Sequence, residues 1–93
     1  MDVEQAKGIV ISSISEVLEA KVEVKEDMHL IGEGAILDSM GIVEVCLSLE
    51  EAAEDMGFEF DWTSEEAMSK TRSMFRTVKA LSEEFAKQSI GEI

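Results

Sequence analysis

Few side chains in this sequence have the chemistry for covalent work, and the Asp38-Ser39 pair is the one whose position gives it reach. It stands where a glycine-punctuated stretch, Gly32 to Leu37, gives way to an apolar-periodic run starting at Met40. A serine at such a loop-to-helix junction meets an incoming enzyme, and a helix N-terminus favours an anion attached beside it. The same pair has a purely local reading, with Ser39 as an N-cap and Asp38 as a turn residue. The one histidine, His29, has no serine or cysteine nucleophile near it in sequence and reads as an ordinary loop residue. The single cysteine, Cys46, can form no internal disulfide, has no histidine cluster to share a metal with, and reads as a small buried hydrophobe. Catalysis needs a positioned acid, base or metal, and nothing in the sequence supplies the set, so the chain is not expected to be an enzyme or to hold a metal site of its own.

Charge is the second chemical feature. The 21 acids against 8 bases give a formal net charge of −13, a field that repels phosphate backbones and anionic membranes and favours cationic protein surfaces. Nucleic acid is therefore excluded as an expected partner. Glu44, Glu51 and Asp55 are seven and four residues apart and share a helical face, an acidic strip suited to basic patches on partners. Acids at the end of that helix, Glu50, Glu51, Glu54 and Asp55, oppose its macrodipole, which invites a functional explanation beside the plain one of a solvated face. Arg72, Arg76 and Lys79 are expected to form a basic strip on the last helix, read as neutralising nearby acids.

The elements that must position these residues follow from periodicity. At 93 residues the chain is expected to be one domain, 1–93, with a single small core. Val3, Ala6, Val10, Ile14 and Val17 predict an amphipathic helix over 3–19, with Asp2 as N-cap. The long loop from Glu19 to Asp38 carries Val22, Val24, Met28, Leu30, Ile31, Ile36 and Leu37, enough apolar residues to pack across the bundle. A second helix is expected over 39–56, closed by Gly57. Phe58 to Trp62 alternates like a strand but has no partner strand, so it reads as an extended connector burying aromatics. Thr63 or Ser64 would cap a short third helix over 65–70, and Ser73 a last one over 74–88, its Phe75, Val78, Leu81, Ser82 and Phe85 on one face. The expected class is all-α, with three longer helices, one short helix and a long first loop. The N-terminus lacks a signal peptide's order, and uncharged runs are too short to span a bilayer, so a cytoplasmic monomer without stable membrane insertion is expected.

Gly34-Ala35-Ile36-Leu37-Asp38-Ser39-Met40, with Val43-Glu44 and the Leu47-Ser48-Leu49-Glu50-Glu51 run, resembles the acyl carrier protein family around its D-S-L or D-S-M motif. Phe75-Arg76-Thr77-Val78-Lys79-Ala80-Leu81 is similar to that family's final-helix signature, so the likeness covers nearly the whole chain. The resemblance implies a four-helix acyl-carrier-like bundle that becomes a phosphoprotein when a phosphopantetheinyl transferase, using Mg²⁺, moves 4′-phosphopantetheine from coenzyme A to Ser39. Cargo then rides on the arm as a thioester between acyl-activating, synthase or acyltransferase enzymes of lipid, fatty-acid or polyketide-type biosynthesis. By the same resemblance Asp38 helps hold metal and orient the transferase, while Met40 and Val43, with Glu44, Glu51 and Asp55, belong to the partner-binding surface. Two residues depart from the family's pattern. Gly41 falls in the first turn of the second helix, where a gap beside the arm is expected. Ala53 stands where a bulky apolar residue is common, so an acyl pocket lined by Leu47, Leu49, Phe75 and Val78 is expected unless Met56, Phe58 or Phe60 fills it. The run Leu37 to Gly41 is also similar to D-alanyl and peptidyl carrier proteins, which leaves an aminoacyl cargo open, and a non-carrier acidic helical adaptor is the reading from another class.

Overall fold

A computed structural model describes residues 2–21, 23–32, 34–64 and 74–90. Among them the fold is all-α, with α1 over Val3–Val17, α2 over Ser39–Met56 and α3 over Val78–Ser89, and no strand beyond an isolated bridge between His29 and Thr77. The short helix expected over 65–70 lies outside the described residues, as do Ser73 and Val22. Helix α1 packs against both α2 and α3.

Local chemistry sets most of the helix ends. Asp2 caps α1 by accepting the Gln5 N–H at 2.8 Å. Helix α2 closes in a Schellman motif on Gly57 at φ +89°, with Gly57 N–H donating to Glu54 O and Phe58 N–H to Ala53 O. Helix α1 closes in the same pattern, Glu19 N–H to Glu16 O and Ala20 N–H to Ser15 O, but without a glycine, so it ends at Val17 and not at the expected residue 19. Glu19 and Ala20 take φ of 56° and 58°, a left-handed conformation costing an L-residue ~1–2 kcal/mol. Glu19→Gly removes that cost, loses only an exposed ion pair with Lys21, and gives back ~0.5–1 kcal/mol in unfolded-chain entropy. The expected net gain is about 0.5–1 kcal/mol, read as a rise of about 2–8 °C in thermal midpoint.

Tertiary contacts set the start of α3. Periodicity predicts 74, yet the helix begins at Val78, and the cap is Thr77, not Ser73. Thr77 is extended, its Oγ1 accepts the Ala80 N–H at 3.1 Å, and the next free donors go to the long loop: Val78 N–H to Met28 O at 3.0 Å and Lys79 N–H to Glu26 O at 2.8 Å. The three donors that follow the cap, Val78, Lys79 and Ala80 N–H, are thereby satisfied, which fixes the boundary and pins the loop to the bundle. Lys7 on α1 adds a 2.5 Å ion pair to Glu26. Its ammonium, through that hydrogen bond and the attendant charge, holds the Glu26 carboxyl below the usual carboxylate range. This tie is present above that range and is lost as pH falls through the lowered folded value.

Val24, Leu30 and Leu37 of the loop are buried, as the pattern predicts, beside Val10 and Ile14 of α1, Val45, Leu49 and Ala53 of α2, and Val78, Leu81 and Phe85 of α3. The connector after Gly57 forms no strand. Phe58 and Phe60 each meet Phe85 edge-on, centroids 5.2 Å apart, and the Gln88 amide takes the place of a partner strand, accepting from Asp61 N–H at 2.6 Å and donating to Asp61 O at 3.0 Å. Trp62 donates its indole N–H to Glu50 at 2.7 Å.

Candidate functional site

Ser39 is the first residue of α2 and is exposed. The cap is Asp38 and not Ser39: the Asp38 backbone is extended and its Oδ1 accepts the Gly41 N–H at 2.7 Å. The local reading of Ser39 as an N-cap is thus replaced by one in which its neighbour does the capping. The Ser39 hydroxyl makes no hydrogen bond to a described residue, and the N–H groups of Ser39 and Met40 are likewise left open in the first turn. An uncommitted hydroxyl beside open helix donors suits a phosphodiester, because the donors and the dipole both favour negative charge there.

Gly41 does not leave the expected gap. It is buried, and a Cβ there would lie 3.1 Å from Leu37 Cδ2 and 3.3 Å from Asp38 Oδ1, the oxygen that caps the helix. The missing side chain lets the cap carboxylate close over the first turn. Gly41→Ala gains up to ~1 kcal/mol of helix propensity and pays ~1–3 kcal/mol of crowding in a packed setting. The expected outcome is a net loss of about 1 kcal/mol, measured by denaturant unfolding with the slope unchanged.

The outer face of α2 is where the sequence-predicted partner residues fall. Met40 is 69% exposed and Val43 40%, and Glu44, Glu51 and Asp55 are exposed and in no ion pair with a described residue. Leu47, expected in a pocket lining, is instead half exposed on this face, whereas Leu49, Phe75 and Val78 are buried in the core with Ala53. The spacing of Met40, Glu44, Leu47, Glu51 and Asp55 is the signal for that placement, since steps of three and four share one helical face. Phe60, and Phe58 in part, join the core near the end of α2, while Met56 is exposed and fills nothing.

Among the described residues, two grooves of about 350 Å³ each open at opposite ends of α2. One flanks Ser39: Asp38, Met40, Gly41 and Glu44 line it, facing Val17 and Leu18 from the end of α1 and Ile36 and Leu37 from the loop. The other lies over Phe58 and Phe60, rimmed by Glu50, Glu54 and Glu59.

The remaining reactive groups are committed elsewhere. Cys46 is fully buried, and burial, with the Glu50 charge adding to it, pushes its thiol up to about 12. His29 is exposed and serves through its backbone, its carbonyl accepting from Ile36 N–H. Arg76 precedes the Thr77 cap, so it is not on α3 with Lys79, and Arg72 lies outside the described residues. No group of three or more His, Cys, Asp or Glu among the described residues is placed to hold a metal ion, and no helix among them is long and apolar enough to cross a membrane. Compared with known proteins, the chain matches no family model, no curated protein and no solved structure.

Proposed function

We propose that this chain is an acyl carrier protein. Ser39 Oγ accepts 4′-phosphopantetheine from coenzyme A in a Mg²⁺-dependent transfer: a P–O bond to Ser39 replaces the bond to the departing adenosine bisphosphate, and the serine proton leaves to a base of the transferase. When bound, the arm supplies a terminal thiol for thioester chemistry in lipid, fatty-acid or polyketide-type biosynthesis. The finer fold belongs to the same reading, a four-helix carrier bundle with a short helix over 65–70.

One observation carries the proposal. Asp38 caps α2, which frees the exposed Ser39 hydroxyl from any structural hydrogen bond to a described residue, at the end of the helix whose open N–H groups favour an anion. Asp38 Oδ2 remains for a transferase-bound Mg²⁺, as the resemblance implies. The face from Met40 to Asp55 gives partner enzymes apolar contacts alternating with carboxylates, and the net charge of −13 extends its reach toward basic surfaces. A cytoplasmic monomer without a bound nucleic acid fits that role.

Incubation with coenzyme A, Mg²⁺ and a broad-specificity phosphopantetheinyl transferase is expected to add the mass of one arm, and only one, to the intact protein. A protein that gains nothing returns the chain to the adaptor reading. Intact mass from the native cell then separates acyl from aminoacyl cargo.

A further inference from the structure

The groove beside Ser39 is built from both sides of the attachment point. Asp38 and Met40 bracket Ser39 in the chain and both line it, and the opposite wall is Val17 and Leu18 from the end of α1, with Ile36 from the loop. Val17, Leu18 and Ile36 are half-buried, so they keep apolar surface open to the groove while their remainder packs on the core. Glu44 adds a carboxylate without a basic partner among the described residues.

We propose that this groove is the resting site of the pantetheine arm on Ser39, which folds back toward the end of α1 instead of standing free in solvent. The inference rests on the carrier reading and adds to it a site on this chain for its own arm. Pantetheine is uncharged, so the acidity of the chain does not repel it. The lining is mostly polar, so the arm's two amides have the larger share of it, at the carboxylates of Asp38 and Glu44, and its gem-dimethyl carbon has the smaller apolar part at Val17, Leu18 and Ile36. The phosphate has no such match in the groove and stays at the open N–H groups of the α2 first turn.

Tethering decides between the two grooves found among the described residues. A short flexible linker holds its far end at millimolar effective concentration, so a millimolar-class intrinsic affinity is enough to keep about half the arms docked. The groove over Phe58 and Phe60 begins at Glu50, about 16 Å along α2 from Ser39, and three carboxylates rim it. Reaching it needs an extended arm. The nearer groove does not.

The test compares apo and loaded protein after transfer from coenzyme A, with intact mass recorded on each sample. Methyl signals of Val17, Leu18 and Ile36 are expected to shift on loading while the ring signals of Phe58 and Phe60 do not. The arm's thiol should react with iodoacetamide about twofold more slowly than free pantetheine, matching the docked half. Iodoacetamide is neutral, each rate is expressed per thiolate from its own pH profile so that the raised pKa of a thiol on an acidic chain does not mimic docking, and Cys46 is too buried to compete. Leu18→Ser truncates the wall and should restore the free rate at the same loaded mass. A loaded protein whose Val17, Leu18 and Ile36 signals stay at their apo positions, or whose thiol reacts at the free rate, overturns the groove and leaves the carrier reading intact. A protein that gains no mass overturns both.

Discussion

Ser39→Ala is expected to stay folded with its stability nearly unchanged and to take up no phosphopantetheine. Had Ser39 been the cap, the change would cost ~1 kcal/mol. The cap is Asp38, whose bond to Gly41 N–H does not involve the Ser39 side chain, and the hydroxyl bonds to no described residue. Alanine is also the better helix former at an exposed first-turn position, so the expected change is within about 0.5 kcal/mol of zero. Loading, by contrast, should vanish, because the oxygen that must bond to phosphorus at this junction is gone. Ser13 and Ser48 share a hydrogen bond at 3.1 Å across the contact between α1 and α2, and Ser82 is fully buried with its hydroxyl on Val78 O. Circular dichroism and intact mass on the same samples read both halves. Asp38→Ala is the matched control for stability: it removes the cap and should cost ~0.5–2 kcal/mol. A folded Ser39→Ala that still gains an arm would refute the site. A mutant that unfolds would return Ser39 to a structural role.

The reliable parts of the sequence were those decided within a few residues. Asp2 and Gly57 terminate helices through bonds to neighbours three to five positions away, so residue type and spacing name them. The start of α3 is different in kind. Its N–H groups are taken by carbonyls of Glu26 and Met28, some fifty residues earlier, and no local pattern distinguishes Val78 from Met74 as the first residue. The end of α1 fails for another reason, since Glu19 and Ala20 adopt a conformation that glycine normally marks, and neither is glycine.

Helix α2 carries apolar side chains on two faces, and periodicity cannot say which face packs. Gly41, Val45, Leu49 and Ala53 recur at steps of four and are the buried line, with Cys46 beside them. Met40, Val43 and Leu47 recur just as regularly and remain outside. Burial belongs to the line containing Gly41 because α1 lies there, joined through Ser13 and Ser48, and only the assembled pair reveals it. For the same reason Asp38 and Ser39 were legible as a pair but not in their division of labour. Either can cap a helix, and which one does so depends on the backbone of Asp38 being extended while that of Ser39 is already helical.

Replacing Glu44 and Glu51 together by lysine is expected to slow association with the transferase by about tenfold at low salt, with the fold intact. Both acids are exposed and in no ion pair with a described residue, so their reversal removes no structural bond and relieves repulsion in a chain of net charge −13. Steering of this kind changes on-rates by ~10–10³-fold and fades with ionic strength. The Debye length falls from about 30 Å at 0.01 M to about 10 Å at 0.1 M, while the face from Met40 to Asp55 is about 22 Å long. Low salt therefore lets the whole face act at once, and at 0.1 M its ends act separately, so the difference between mutant and wild type should shrink as salt rises. Each reversal also makes the chain two charges less negative, which by itself weakens attraction to a basic partner. Glu23→Lys with Glu83→Lys changes the net charge equally at exposed sites off α2 and controls for that. If the two double mutants slow association alike, net charge alone steers the partner and the strip has no role of its own. If only the α2 pair does, the acids beside Met40 and Leu47 fix where the partner lands, close to Ser39.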